Sequence, residues 1–339
     1  MKVLIVKLSS IGDILQALQA VRMVKLTFPQ VSFSWLVEER YRDLLQEIDW
    51  IDEVISVDTY HLRKNLISLK TFKELKKLRK FEFSAIFDLQ GNIKSSLFVW
   101  FIRSFEKVGF GFKTIHEKIA LFPLTIRQDI DLQSSIIQQY FSILQAYPLF
   151  STCQFSSQVV RLAKEQPMQS EKKGYFITIG SNWENKKLST IDWIKIIQFI
   201  ELKTGEICYL PFSNEKEENE VEEIIAKCPN AKKHPKQSLL QLQKSFSLSK
   251  GVVGIDSSLI HLASLADVPT FSIFGASSAK VFQPLNGCSF QGSCPENMVF
   301  IKRCPKLRSC LHGLCMKAIN VEKILQEIEQ KFLREPRIC

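Results

Sequence analysis

The stretch KVLIVKLSSIGDILQALQA, residues 2–20, decides the fold. Val3 to Val6 form an unbroken apolar run, the pattern of a strand covered on both faces. Ser9 and Ser10 then turn the chain, and apolar residues recur at helical spacing over about 12–27. A buried strand, a short polar turn and a helix make the first half of a βαβ unit. Asp13 stands in the first helical turn beside Gly12. A carboxylate there complements the helix dipole and caps free N–H groups. At the end of a strand it can equally serve as a general base toward an acceptor hydroxyl. Gly12 permits close approach of a ligand, and Ser9 and Ser10 add hydroxyls at the same strand end.

The pattern of residues 2–20 recurs along the chain. FSWLVEE (33–39), EVISVD (53–58), SAIFDLQ (84–90) and EKVGFGF (106–112) read as strands, with helical patterns at about 12–27, 40–47, 66–79 and 92–104. DLQSSIIQQYFSILQAY (131–147) closes this half as a helix. Residues 151–174 turn polar and lose periodicity, which marks a linker. The alternation restarts with strands YFITIG (175–180), EICYLP (206–211), GVVGID (251–256) and TFSIFG (270–275), separated by helices at about 190–203, 215–227 and 257–266. A last helix, 320–333, ends the fold and is expected to pack back on the first half. The expectation is an α/β protein of two Rossmann-like domains, 1–165 and 166–339, with parallel sheets facing a central crevice. Ligands of such sheets bind outside the carboxyl ends of the strands.

Composition narrows the function. The chain has 339 residues, 45% hydrophobic and 24% charged, with a formal net charge of +10. A basic surplus suits acidic partners, whether phosphorylated substrates, anionic headgroups or nucleic acid. Nucleic acid rests on net charge alone and ranks last. The run KTFKELKKLRK (70–80) is either a solvated helix face or a functional patch. MKVLIV is too short and too weakly charged for a signal peptide, and SSLFVWFIRSF (95–105) is interrupted by Arg103. A cytoplasmic protein that touches a membrane surface is expected. Of nine cysteines, five lie between Cys288 and Cys315, and none forms a CxxC pair. They read as small buried thiols that fill gaps, and no metal site is expected.

Two further segments carry chemistry. IGSNWENKKL (179–188) brings Ser181, Asn182 and two lysines, Lys186 and Lys187, to a strand end. Either lysine can neutralise a phosphate or lie exposed in the loop. In VGIDSSLIHLASLADVP (253–269) a strand delivers Asp256, and Ser257 and Ser258 open a helix whose free N–H groups suit an anion. His261 follows one turn later. Asp256 as a cap and His261 as a core residue is the alternative. Together the groups suit a sugar nucleotide diphosphate.

These residues carry a family resemblance. VLIVKLSSIGDILQALQA, DLQGNIKSS (88–96), GSNWENKKLSTIDW (180–193), IDSSLIHLASLADVPTFSIFG (255–275) and CMKAINVEKIL (315–325) resemble, in order, the motifs of glycosyltransferase family 9 heptosyltransferases, closest to the heptosyltransferase I type. The resemblance implies a GT-B fold and metal-independent, inverting transfer of L-glycero-D-manno-heptose from ADP-heptose to a Kdo residue of lipid A, at the cytoplasmic face of the inner membrane. It implies Asp13 as general base and Lys186 as the cation that stabilises the departing diphosphate. Ser181, Asn182, Glu217, Asp256, Ser257, Ser258 and His261 fall on the donor side, with Glu217 at the ribose. Ser10, Gly12, Arg63, Lys64 and His116 fall on the acceptor side. ADP-heptose is a substrate, and no cofactor is implied. The chain departs from the family pattern at Gln16 (often His), Leu188-Ser189 (usually Trp-Pro), Ser257-Ser258 (usually Thr-Gly) and His116 (an arginine).

Two other readings stay open at this point: a catalytically silent sugar-nucleotide-binding scaffold, and a family 9 enzyme with another acceptor or sugar. An NAD oxidoreductase is disfavoured because no G-x-G-x-x-G follows the first strand.

Overall fold

The computed structural model describes residues 1–59, 69–156, 172–285, 287–310 and 313–334, with 69–72 and 74 through their backbone alone. Arg63 and Lys64 lie outside these residues. The chain divides into two compact units, with Met1–Ser156 in the first and the described residues from 172 onward in the second.

Each unit is built on a six-stranded parallel sheet. In the first, β1 (Lys2–Val6), β2 (Ser32–Glu38), β3 (Glu53–Val57), β4 (Ala85–Asp88), β5 (Glu106–Phe110) and β6 (Ile126–Gln128) lie in the order β3-β2-β1-β4-β5-β6. In the second, β7 (Tyr175–Thr178), β8 (Cys208–Leu210), β9 (Ala231–Lys233), β10 (Gly251–Ile255), β11 (Thr270–Phe274) and β12 (Gly287–Gln291) lie in the order β12-β11-β10-β7-β8-β9. Counted within each unit, the two orders are the same doubly wound order. The strand order therefore reverses between β1 and β4, and again between β7 and β10. Ligand sites of open α/β sheets form at such reversals, beyond the carboxyl ends of the strands.

Three short strands escape the sequence reading: β6, β9 and β12. All lie at sheet edges, two of them have three residues, and AKK and GCSFQ carry little apolar signal. The helix Leu239–Ser247 is likewise not expected from the sequence pattern. It begins with a capping box, Ser238 Oγ accepting from Gln241 N and Gln241 Oε1 from Ser238 N. The 131–147 segment is helical only over Ile136–Gln145.

Burial follows the pleat. Ile5 lies in register with Trp35 on one side and Phe87 on the other. Phe150 stacks on Phe87 at 5.6 Å between centroids. Leu4, Val6, Ile86, Phe98 and Val99 belong to the core cluster that also takes in Ile102 and Leu121. In the second unit, Ile177, Trp193, Ile196, Ile255 and Ile273 form the core with the last helix. That helix runs Val321–Glu327 and continues as a π-turn to Leu333. It packs within its own unit: Phe332 meets Tyr175 at 5.8 Å and Phe271 at 6.2 Å, and Lys203 pairs with Glu329 at 2.9 Å. Among the described residues no helix is long and apolar enough to cross a membrane.

Phe332 fills the space over Gly251, where an added Cβ would meet its ring at 2.5 Å. Phe332→Ala should destabilise the second unit by about 3–5 kcal/mol. Denaturant unfolding should show an earlier transition for that unit, and an unshifted curve would contradict the packing.

Candidate active site

In the first unit, polar groups gather beyond β1 and β4. Asp13 Oδ2 accepts from Ser10 N at 3.2 Å and from Ser10 Oγ at 2.8 Å, so both donors orient the carboxylate at the first turn of helix Ile11–Thr27. Both capping and exposure are realised here, since Ser10 is exposed and Gly12 and Asp13 are half-buried. The loop in front of them is held by Gln90, whose Oε1 accepts from Leu8 N at 3.1 Å and Ser9 N at 3.2 Å. Lys7 reaches across to donate to the Leu89 carbonyl at 3.1 Å.

Gln90 is itself fixed by Asp88. The buried Asp88 carboxylate accepts from Gln90 N and Gly91 N, each at 3.0 Å, and from Ser95 Oγ at 2.8 Å. Burial pushes its carboxyl up, against the lowering effect of the Gly91, Ser95 and Gln90 donors. Gly91 has φ +66°, and a Cβ there would meet the Phe110 ring at 2.5 Å, so the turn requires glycine. Asp88, Gln90 and Ser95 lie within the DLQGNIKSS motif, and their positioning role arises only where β4 lies beside β1. The signal available was the motif's place at the end of a central strand. His116 lies exposed in the segment after β5.

At the end of β2, Glu38 accepts from Thr59 Oγ1 at 2.7 Å and from Arg40 Nε at 2.9 Å, and pairs with Lys94 at 3.4 Å. Burial raises the Glu38 carboxyl, but Thr59, Lys94 and Arg40 outweigh it and leave the group below its ordinary value.

The second unit separates the two lysines. Lys186 Nζ lies 2.5 Å from Asp256 Oδ2, with side chains only 11% and 13% exposed. Lys187 turns to the helix Glu215–Ile225 and pairs with Glu220 at 3.1 Å and Glu184 at 3.5 Å. Burial raises the Asp256 carboxyl, and Lys186 outweighs it, so the group lies below its ordinary value. The charge of His261, buried one turn into the next helix, acts in the same direction.

Directly after Asp256 comes the helix Ser258–Leu265, with Ser257 at its N-cap. Ser257 Oγ is buried and has no hydrogen-bond partner among the described residues. A free hydroxyl, the first N–H groups of a helix and a lysine thus share one strand end. Neither serine has positive φ, so the backbone does not need the family's glycine here. Leu188-Ser189 also has a local reason: Leu188 is buried, and Ser189 Oγ caps the helix Thr190–Thr204 by accepting from Asp192 N at 3.2 Å.

Beyond β7, Ser181 Oγ accepts from Trp183 N at 3.2 Å and Asn182 is exposed. Glu217 is pinned by Ser213, whose N and Oγ donate to Oε2 at 2.9 and 2.6 Å. Its other oxygen occupies the space a Cβ on Gly180 would need, 2.5 Å away. The structure therefore brings Gly180 and Glu217 together beyond β7 and β8. Cys294, Cys304, Cys310 and Cys315 line a cavity of about 20 Å³ with Met298 and Leu307, whereas Cys288, read with them as a buried thiol, is disulfide-bonded. No group of three or more metal-ligating side chains is placed to hold an ion among the described residues.

Two doubly wound sheets in tandem, with charged and polar groups at the reversal point of each, are the architecture of GT-B glycosyltransferases. Residues 71–297 match the model of glycosyltransferase family 9 (heptosyltransferase). The chain belongs to that family and is a glycosyltransferase. It is 26% identical to lipopolysaccharide heptosyltransferase 1 of Campylobacter coli, over 98% of this chain and 99% of that one. It is likewise 26% identical to the protein of the same name from Pseudomonas aeruginosa, over 81% of this chain and 79% of that one. Among solved structures, Escherichia coli heptosyltransferase WaaC with ADP matches with a TM-score of 0.77 at 21% identity, over 97% of this chain and 99% of that one.

The Lys186–Asp256 pair has a testable pH signature. Lys186→Met leaves a buried carboxylate without its cation and should cost about 3–5 kcal/mol of stability at neutral pH. A depressed carboxyl contributes stability above its unfolded value of about 3.9 and loses it as pH falls through the folded value. The gap between wild type and Lys186→Met should therefore be full at pH 7 and shrink toward about pH 3. Denaturant unfolding at both pH values measures it, and a gap independent of pH would refute the coupling.

Proposed function

We propose that this heptosyltransferase acts in assembly of the lipopolysaccharide core, moving L-glycero-D-manno-heptose from ADP-heptose to a Kdo residue carried on lipid A. The observation that carries the reading is the strand end beyond β10. There Lys186, Asp256, the unsatisfied Ser257 hydroxyl and the start of helix Ser258–Leu265 make a small, nearly buried, anion-ready cluster. Names of relatives support the acceptor class, and one similar solved structure is WaaC with ADP-2-deoxy-2-fluoro heptose.

In this reading the acceptor hydroxyl attacks the anomeric carbon from the face opposite the diphosphate. A new carbon–oxygen bond forms, the bond to the diphosphate oxygen breaks, and the configuration inverts. Asp13 takes the hydroxyl proton, and ADP leaves with the bonding electron pair. Charge grows on the diphosphate as it departs. Lys186 and the helix N–H groups supply the compensating positive charge, so the step needs no metal. Asp256 holds Lys186 in place and meets heptose hydroxyls, Ser257 and Ser258 take a phosphate, and His261 supports Asp256. Glu217 holds the ribose, with Ser181 and Asn182 beside it. Ser10 and Gly12 border the acceptor, and His116 meets its phosphates and carboxylates; the family resemblance assigns Arg63 and Lys64 to the same task. In this reading the acceptor is embedded in a bilayer, and the protein works at the cytoplasmic face of the inner membrane.

The test is a transfer assay with ADP-L-glycero-D-manno-heptose and Kdo-lipid A, read by mass spectrometry. A product heavier by one heptose is expected, with and without EDTA. Asp13→Ala should abolish transfer and retain donor binding, and equal loss of both would sink the base assignment. Lys186→Ala should lower turnover by roughly two to three orders of magnitude, equivalent to about 3–4 kcal/mol. An unchanged rate would remove Lys186 from the leaving-group role.

A further inference from the structure

Three consecutive residues, Asn185, Lys186 and Lys187, are fixed to three different parts of the second unit. Lys187 pairs with Glu220 on the helix Glu215–Ile225, and Lys186 reaches Asp256 at the end of β10. Asn185 faces the cysteine-bearing loop that follows β12. Its Nδ2 donates to the Leu307 carbonyl and, at 3.4 Å, to the Cys310 carbonyl. Gly313, at φ +54°, comes so close that an added Cβ would meet Asn185 Cα at 2.9 Å and its carbonyl oxygen at 3.0 Å. One segment of the chain therefore holds both the side chain and the backbone of Asn185.

That segment is itself well anchored. Gly292 N donates to the Phe274 carbonyl at 2.7 Å, Cys304 N to the Ala276 carbonyl at 2.8 Å, and Ser278 N to the Lys302 carbonyl at 2.9 Å, which ties the loop to the end of β11. Two turns, Leu307 N to the Cys304 carbonyl at 3.0 Å and Cys310 N to the Lys306 carbonyl at 2.7 Å, carry the groups that Asn185 meets. Cys294, Cys304 and Leu307 pack against the core cluster that contains Cys315 and Met316. Paired backbone groups and buried apolar contacts put a loop at the stable end of local opening. The turn that faces it is tight: Glu184–Lys186 form a single 3-10 turn, in which successive side chains point about 120° apart. Fixing Asn185 thus fixes the direction in which Lys186 leaves the turn, and the flexible lysine stem has less freedom to lose on reaching Asp256.

We infer that Asn185 is a positioning residue for Lys186, and that residues 292–310 with Gly313 are the support it is held against. Asn185 acts through the lysine and has no part in the chemistry itself. A carboxamide suits the task, since it offers two N–H donors on a short stem and meets two carbonyls. A tie that merely closed the loop onto the turn would contribute the same stability whether or not Lys186 were present. Positioning makes the two residues interdependent. The inference rests on the leaving-group role proposed for Lys186, but the hold of Lys186 on Asp256 is measurable without acceptor or turnover.

The experiment is a double-mutant cycle on the full chain: wild type, Asn185→Ala, Lys186→Met and the double variant. Each protein is unfolded by denaturant at neutral pH and titrated with ADP in a calorimeter. Lys186→Met lowers the unfolding midpoint of the wild type, and in the Asn185→Ala background that shift should shrink by about half or more. Asn185→Ala should weaken ADP binding about threefold or more in the wild type, and hardly at all in the Lys186→Met background. Equal midpoint shifts in the two backgrounds, or an equal loss of ADP affinity in both, would overturn the inference and leave Asn185 a local tie. Should Asn185→Ala fail to fold, Asn185→Ser, which keeps a donor on a shorter stem, carries the same cycle. Coupled unfolding with ADP affinity untouched by Lys186→Met would overturn the leaving-group reading alone. Loss of ADP affinity in Lys186→Met without coupling to Asn185 in either measurement would overturn the positioning role alone.

Discussion

The ion pair between Lys186 and Asp256 sets the terms for the second unit. Taking two charges out of water costs several kcal/mol each, and their attraction repays this only with good geometry. Here the contact is 2.5 Å and both side chains are almost covered. An apolar pair of the same size would serve stability as well or better. The pair instead holds an ammonium beside the start of a helix whose capping hydroxyl, Ser257 Oγ, is unsatisfied. A fully formed cap would have consumed that hydroxyl. The unit therefore keeps a lysine ammonium, the first N–H groups of a helix and a hydroxyl without a partner at one strand end, the combination that the proposed diphosphate leaving group calls for.

The first unit meets the same topological constraint with a different device. Its reversal point also carries a buried carboxylate, Asp88, but this one is satisfied by two backbone N–H groups and Ser95 Oγ at 2.8–3.0 Å. Its task is positional. It shapes the turn that presents Gln90, and Gln90 holds Leu8 and Ser9 in front of Asp13. Asp13 is thus placed by a chain of hydrogen bonds that begins on a different strand. A base must lie within hydrogen-bond reach of the proton it takes, so this rigidity suits the role proposed for Asp13.

The central strands were legible in the sequence because strands buried on both faces write continuous apolar runs, as in VLIV and GVVGI. The edge strands were not: AKK of β9 pairs with one neighbour only, and two of its three residues are exposed lysines. The candidate donor residues were legible as types at strand ends; residue type alone left Lys186 and Lys187 equivalent, and only the family resemblance singled out Lys186. Adjacent lysines look alike in sequence, and the distinction comes from Glu220 on a distant helix, which claims the second of them. The positioning role of Asp88 and Gln90 was hidden for the same reason, since it exists only once β4 lies beside β1. Departures that look costly against the family pattern prove locally reasonable, with Ser189 acting as a helix cap and Ser257 keeping extended backbone.

The most direct measurement is calorimetric titration of ADP into the wild-type protein, Lys186→Met and Lys187→Met. The account predicts one ADP per chain, with affinity reduced at least about tenfold by Lys186→Met, the loss of a charge-assisted contact. Lys187→Met should bind nearly as wild type, because its lysine is committed to Glu220 and Glu184. Equal affinities for all three proteins, or a loss confined to Lys187→Met, would contradict the placement of the diphosphate at the strand end beyond β10.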